Sequence, residues 1–587
     1  MAKSATLEVL DMEALQVGQT WNQSIPLFAE RATAVRVYVR PHTLDRRMRV
    51  RGTLAFRCGN GGDTQIVSTN DLQLDPNGHP SIELQRKYTG AALTFLLPQE
   101  SIKTDGFSVE LLAVDPIIGG LPGVEVQSHD KSTFSVEAGP SLRLRTIGLR
   151  MQCGECGRVD EPRPQDFEAI RHYIERAFPI GRLEWSTRMV DAPAGFVPPL
   201  GNGKTPDLLW QARHDRLIAY LMALRARDVA FGTDYRTHYY GLVSDPDYVF
   251  AGAVSDVPDS ACPGVLAAGP ATSDGALGAH EIAHALGGLH PGYGGEQQRE
   301  DDCFPPESRG HLSTPEEDFH GFDIGSSYTS PKVLDGSRWY DLMTYRSKLW
   351  VSAYRHRKLL SRIRAEDIMA PPEQNQSGIA VIGTFALEDI KGAPEELGNR
   401  FHHVFPADIA EIAAETQGIV GDPIVEVRGM DTNGVEIFRH GVKSKRAEAT
   451  DLHQDSGAFM VAVPQAPNLH ALELWVQQKR VAEYPMPAAC PEDETGWAIQ
   501  IARSGGLGHI LSIDWPDNGW TAPVTVVAVT GSGPEQILAV DLKLKTPTVF
   551  LDSSGLSSHS PIEVKLICPD GFGERVVFAQ HLDLPRA

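Results

Sequence analysis

His280, Glu281, His284, Gly287 and His290 stand at the spacing HExxHxxGxxH, residue types able to hold a zinc ion and break a bond beside it. On a helix, residues four apart share a face, so the imidazoles of His280 and His284 can grip one metal. Glu281 lies one step round, beside the position left for water, where a carboxylate can take a proton. Gly287 can leave the helix with positive φ and turn the chain, which brings His290 back as a third ligand. Three protein ligands with a fourth position open to water are the pattern of a catalytic zinc rather than a structural one.

The segment before the motif must place that helix. Ser273 or Asp274 can cap its start, Ala276, Leu277, Ala283 and Leu286 give it an apolar face, and Gly287 ends it. Further upstream, Pro164 suits a first helical turn, and Phe167, Ile170, Ile174 and Phe178 form a stripe that Pro179 terminates. A second helix opens with Thr205 as cap and Pro206 next, and runs through Leu209, Leu217, Leu221 and Leu224. Short strands are expected at 237–243, 248–254 and 264–268, the last being a candidate edge strand or an ordinary internal one.

The motif resembles that of the metzincin clan of zinc peptidases, and HEIAHALGGLHPG, with Pro291 after the third histidine, is especially similar to its serralysin branch. Metzincins carry a methionine turn beneath the metal, and Asp341-Leu342-Met343-Thr344-Tyr345 is similar to it. The resemblance implies that Met343 forms an apolar floor and that Tyr345 either ligates zinc or stabilises an oxyanion. It covers roughly residues 141–370 and is of a bacterial multidomain type. Two features depart from it: His290 and Met343 are 343 − 290 = 53 positions apart, so an insertion lies between them, and no GGxGxD repeats follow. In metzincins an edge strand upstream of the zinc helix pairs with extended substrate, a role for which 264–268 is the candidate.

Composition narrows the setting. A net charge of −22 argues against nucleic acid or an anionic membrane as partner. No apolar run is long enough to span a bilayer, and the start lacks the apolar core of a cleaved leader. The expectation is cytoplasmic work or export by a leaderless route. Seven scattered cysteines include one local pair, Cys153 and Cys156, readable as two thiols, a disulfide or a metal-ligand pair. The insertion is acidic, with Glu296, Glu300, Asp301, Asp302, Glu307, Glu316, Glu317, Asp318 and Asp323. It reads as a solvated or lid-like loop, with Ca2+ binding possible though no ordered ligand spacing is present. Residues 352–368 read as a helix whose Arg355, Arg357, Lys358, Arg362 and Arg364 form a solvated face.

The expected fold is multidomain α+β. A β-sandwich spans 1–140, where Val35, Val37 and Val39 alternate with Arg36, Tyr38 and Arg40 to give one buried and one wet face. A metzincin-like catalytic domain spans 141–370, and β-sandwiches, the last of immunoglobulin or fibronectin type, span 371–490 and 491–587. The expected function is a zinc-dependent endopeptidase acting on protein or peptide, with one catalytic Zn2+. Two rivals are a latent zinc domain in a β-module binding or adhesion protein, and a zinc amidase acting on cell-wall or glycopeptide material. The C-terminal β-modules are candidate sites for substrate or a partner protein.

Overall fold

The structure is a computed structural model. It describes residues 5–584 apart from 60, 77, 119–123, 128–130, 153–158, 193–206, 245–253, 256–265, 271–274, 294–299, 327–328, 371–376, 388–397, 409–423, 443–455, 489–495, 504–507, 515–522, 531–534, 543–547 and 553–560. Strand outweighs helix, 49% to 17%, and the strands are shared among many separate sheets, so the chain is β-rich and multidomain. Four helices carry the argument: α1 (Pro164–Ala177), α2 (Asp207–Ala230), α3 (Ala276–Ala285) and α4 (Ala353–Asp367). No helix among the described residues is long and apolar enough to cross a membrane.

The chain divides into two compact units, each built from separated stretches of sequence. The first comprises Met1–Leu142, Ile170–Glu184 and Gly288–Ile368. Its N-terminal part is a pair of sheets. One contains Thr6–Leu15, Thr33–Thr43 and Leu93–Leu97; the other contains Met48–Cys58 and Phe107–Pro116. Their inward residues, among them Val35, Val37, Leu54 and Val109, share one apolar core, as alternation along a strand requires. The expected wet face is wet at Arg40 but not at the other two positions. Arg36 and Tyr38 are both buried, because residues 85–88 cover that side. The Arg36 guanidinium donates to the carbonyls of Gln85, Arg86 and Tyr88, and the Tyr38 hydroxyl donates to Glu13.

The insertion between His290 and Met343 is also corrected. Rather than a solvated lid, its described part is packed: Phe304, Leu312, Phe319, Phe322, Val333 and Leu334 are all buried. Its strand His320–Asp323 pairs with Lys332–Leu334 on one side and with Gly18–Gln19 on the other. Gly18 is required there, since a Cβ would lie 2.5 Å from the Phe319 ring. Three of the acidic residues pair with basic ones, Asp318 with Arg86, Asp323 with Arg176 and Glu317 with Arg357. Among the described residues they form no cluster suited to Ca2+.

The second unit comprises Arg143–Ala169, Trp185–Gly287 and Met369–Ala587. A central sheet pairs Ser141–Gln152 with His238–Val243 and the latter with Leu266–Pro270, all parallel, and then Val254–Ser255 antiparallel at the edge. The described part of the candidate at 264–268, from Leu266 on, is hydrogen-bonded on both sides, and among the described residues Val254–Ser255 is the edge strand. Helix α2 is apolar all round over its middle: Leu217 through Leu224 are buried without a break, which a helix tolerates only when covered on every side. Residues of the central sheet and of C-terminal strands such as Ser377–Ala386 and Ser456–Pro464 join it in one core. Further two-sheet cores lie within 377–485 and 497–584. Thr205, Pro206, Cys153 and Cys156 fall outside the described residues.

Two buried histidines give the fold an acid limit. Burial, and then neighbouring Arg213, holds His214 down to about 3. Burial does the same for His356, also to about 3, with Arg31, Arg357 and Arg364 adding to it. Both are neutral in the folded chain and protonate below pH ~6.5 when unfolded. The unfolded state then binds more protons, so stability is complete above that pH. It should fall by about 1.4 kcal/mol per pH unit per histidine as pH drops from ~6.5 toward 3. Urea unfolding at pH 7 and pH 5 measures this. A His214→Gln/His356→Gln variant that keeps the full wild-type slope refutes it.

Candidate metal centre

Helix α3 holds Ala276–Ala285, and its cap position is Gly275, at φ +74° with no side-chain cap; Ser273 and Asp274 lie outside the described residues. The helix ends where the glycine allows it. Gly287 has φ +80°, and its amide donates to the His284 carbonyl at 2.7 Å. The turn that follows leads to His290 within three residues.

His280, His284 and His290 are all buried, and one ligand nitrogen from each lies within 4.8 Å of the others. The Nε2 atoms of His280 and His284 are 3.1 Å apart. Two nitrogens at zinc distance and a tetrahedral angle stand about 3.3 Å apart, so this pair is set at coordination spacing. Among the described residues no other group of three such side chains forms. Among the described residues the donor set is three neutral-capable imidazoles, a set able to hold a divalent metal ion such as zinc.

The third ring is oriented by a residue of the acidic insertion. Glu300 Oε2 is 3.2 Å from His290 Nδ1, and the Glu300 amide donates to the His290 carbonyl at 3.0 Å. A carboxylate on Nδ1 fixes the tautomer that presents Nε2 to a metal. That hydrogen bond is also the main reason the Glu300 carboxyl sits below the ordinary carboxylate range. Nothing in the local sequence marks Glu300 over its acidic neighbours.

Glu281 is buried on α3. Tyr240, in the central strand His238–Val243, is its neighbour: burial first, and then the charge of Glu281, raises the tyrosine's pKa well above the usual value. Tyr240 therefore stays a neutral hydroxyl beside the carboxylate. The methionine segment is a tight turn. Asp341 Oδ1 accepts from the Met343 amide at 3.0 Å, and the Asp341 carbonyl accepts from the Thr344 amide at 3.0 Å. Met343 is fully buried. Tyr345 is 42% exposed and sets its ring edge-on to His290, centroids 5.1 Å apart. The structure thus brings Tyr345 to the third histidine.

No family model matches the chain, and no curated protein matches it. Among solved structures it has a likeness to a β-glycosidase from Bacteroides vulgatus, with 9% identity, 98% of this chain and 80% of that one covered, and a TM-score of 0.13. A second likeness is to E. coli alpha-2-macroglobulin in its native conformation, with 8% identity, 98% and 28% covered, and a TM-score of 0.11. At such TM-scores neither likeness carries an argument about fold or function.

Proposed function

We propose that the chain is a zinc-dependent endopeptidase of metzincin type, hydrolysing peptide bonds of a protein substrate. The observation that carries the proposal is the buried trio His280, His284 and His290 converging at coordination distance, with Glu281 on the same helix. A zinc ion held there supplies Lewis acidity toward a carbonyl oxygen and acidifies water to a pKa near ~7. The remaining work belongs to the chain. Glu281 accepts the proton from water and returns it to the leaving amine. Tyr240 stays neutral next to it and so does not compete as a base. Glu300 keeps the His290 ring in one tautomer. Tyr345, with its ring against His290 and its side chain open to solvent, is the candidate to meet developing charge on substrate oxygen. Met343 underlies the turn as an apolar floor.

The test is digestion of a diverse peptide library by the zinc-loaded protein, with and without chelator. Cleavage that stops on chelation and returns with zinc is expected, and the cut sites give the specificity. Intact zinc with no cleavage of any peptide rejects the endopeptidase and leaves the latent binding protein. Cleavage confined to cell-wall peptides or glycopeptides favours the amidase.

A further inference from the structure

Helix α4 carries Arg355, which the charge pattern places on a solvated face. In the structure it is 0% exposed. Its guanidinium reaches three segments far apart in sequence. Nη2 donates to the Leu289 carbonyl at 2.7 Å, one residue before the third histidine. Nη1 faces Asp301 Oδ2 at 3.5 Å, and Nε faces Asp341 Oδ1 at 3.4 Å. Both carboxylates are buried, at 2% and 0% exposure.

Each contact lands on something the site needs. The Asp301 amide donates to the His290 carbonyl at 2.9 Å, so holding Asp301 holds the main chain of His290. Asp341 folds the turn that carries Met343. Asp301 is fixed further by the Tyr354 hydroxyl at 2.8 Å and by Lys358 at 3.1 Å. Asp341 is fixed by the Ser352 hydroxyl, which also caps α4 by accepting from the Arg355 amide at 3.1 Å. Two cations, Arg355 and Lys358, thus balance two carboxylates.

Charge balance alone does not explain the geometry. The shortest bond of the guanidinium goes to a main-chain carbonyl, which has no charge to neutralise, and the two ionic contacts are longer. A planar fork with donors in fixed directions can hold three acceptors at once, and an ammonium cannot. We propose that Arg355 is a positioning residue for the metal centre, fixing the His290 limb and the methionine turn relative to each other. The proposal rests on the zinc reading given above.

The experiment uses the full chain. Zinc affinity is measured by competition with a chromogenic chelator, cobalt(II) is substituted for zinc and its visible spectrum recorded, and urea unfolding of the metal-free proteins reports the fold. Arg355→Lys keeps the charge and loses the fork. It is expected to weaken zinc binding by roughly 10–100-fold, the usual effect of losing an outer partner of a ligand, and to alter the cobalt spectrum at saturation. Lys358→Met, which leaves the fork intact, should keep the wild-type spectrum. If Arg355→Lys binds zinc and cobalt as the wild type does, Arg355 is an ordinary buried ion pair and the proposal fails. Should Arg355→Lys not fold, Arg355→Gln/Asp301→Asn, which preserves net charge, is judged by the same two readouts. Wild-type protein that takes up no zinc overturns the zinc reading itself, and so is distinguishable from failure of the positioning role alone.

Discussion

Glu281→Ala is expected to fold, to retain one zinc ion by elemental analysis, and to hydrolyse peptides ~10²–10⁴-fold more slowly than the wild type, the range for a positioned acid–base. The reason is the separation of tasks on α3. His280 and His284 lie four residues apart on one face, with Nε2 atoms 3.1 Å from each other. Glu281 is turned about 100° from His280 by the helix and is not one of the convergent trio. Deleting its carboxylate removes proton transfer without removing a ligand. His284→Ala is the contrasting variant, since it should lose the metal outright. Glu281→Ala protein that cleaves peptides at the wild-type rate would show that another group moves the proton, and the assignment would be abandoned.

The largest expected effect on stability is at Asp228. This buried carboxylate at the end of α2 accepts from Arg145 at 2.9 Å, from Arg188 at 3.0 Å and from the Tyr239 hydroxyl at 2.7 Å. Arg188 is itself buried. Removing one partner of a buried pair leaves the other charge without compensation, at a cost of about 3–5 kcal/mol. Asp228→Ala should therefore lower the urea midpoint strongly. A loss below about 1 kcal/mol would mean that water reaches Arg188 and that the cluster does not hold the helix end. The neighbouring residue extends the argument: Arg227 pairs with Glu574 and lies over Phe405, 4.1 Å from its ring centre. The same helix end thus ties the strand Gly573–Leu582 into its unit, as an integral layer.

Periodicity marked helix α1 correctly. Phe167, Ile170, Ile174 and Phe178 are all buried, and the helix spans Pro164–Ala177 as the flanking prolines require. The histidine trio was equally plain, because its three members lie within eleven residues and helix pitch with one glycine turn brings them near one another. The roles of Glu300, Asp301 and Arg355 were not. Acidic and basic runs look alike whether solvated or buried, and nothing near Arg355 in sequence says that two carboxylates 54 and 14 positions earlier will face it. Arg36 and Tyr38 follow the same logic: alternation named a wet face, and residues 85–88 returned to cover it.

Short-range regularities settle how a segment coils and which residue types recur on one side of it, since both follow from backbone geometry over a few residues. The pattern at 280–290 is of that kind, and so are the zinc expectation and the assignment of Glu281. Which surfaces are covered is another matter. The continuous burial of Leu217 to Leu224 and the packing of the acidic insertion against Gly18–Gln19 each depend on a distant stretch of chain arriving. Burial is a property of pairs of surfaces, and one surface does not specify its mate. That is why the histidine trio could be read from the residues alone while the groups that hold it in place emerged with the folded chain.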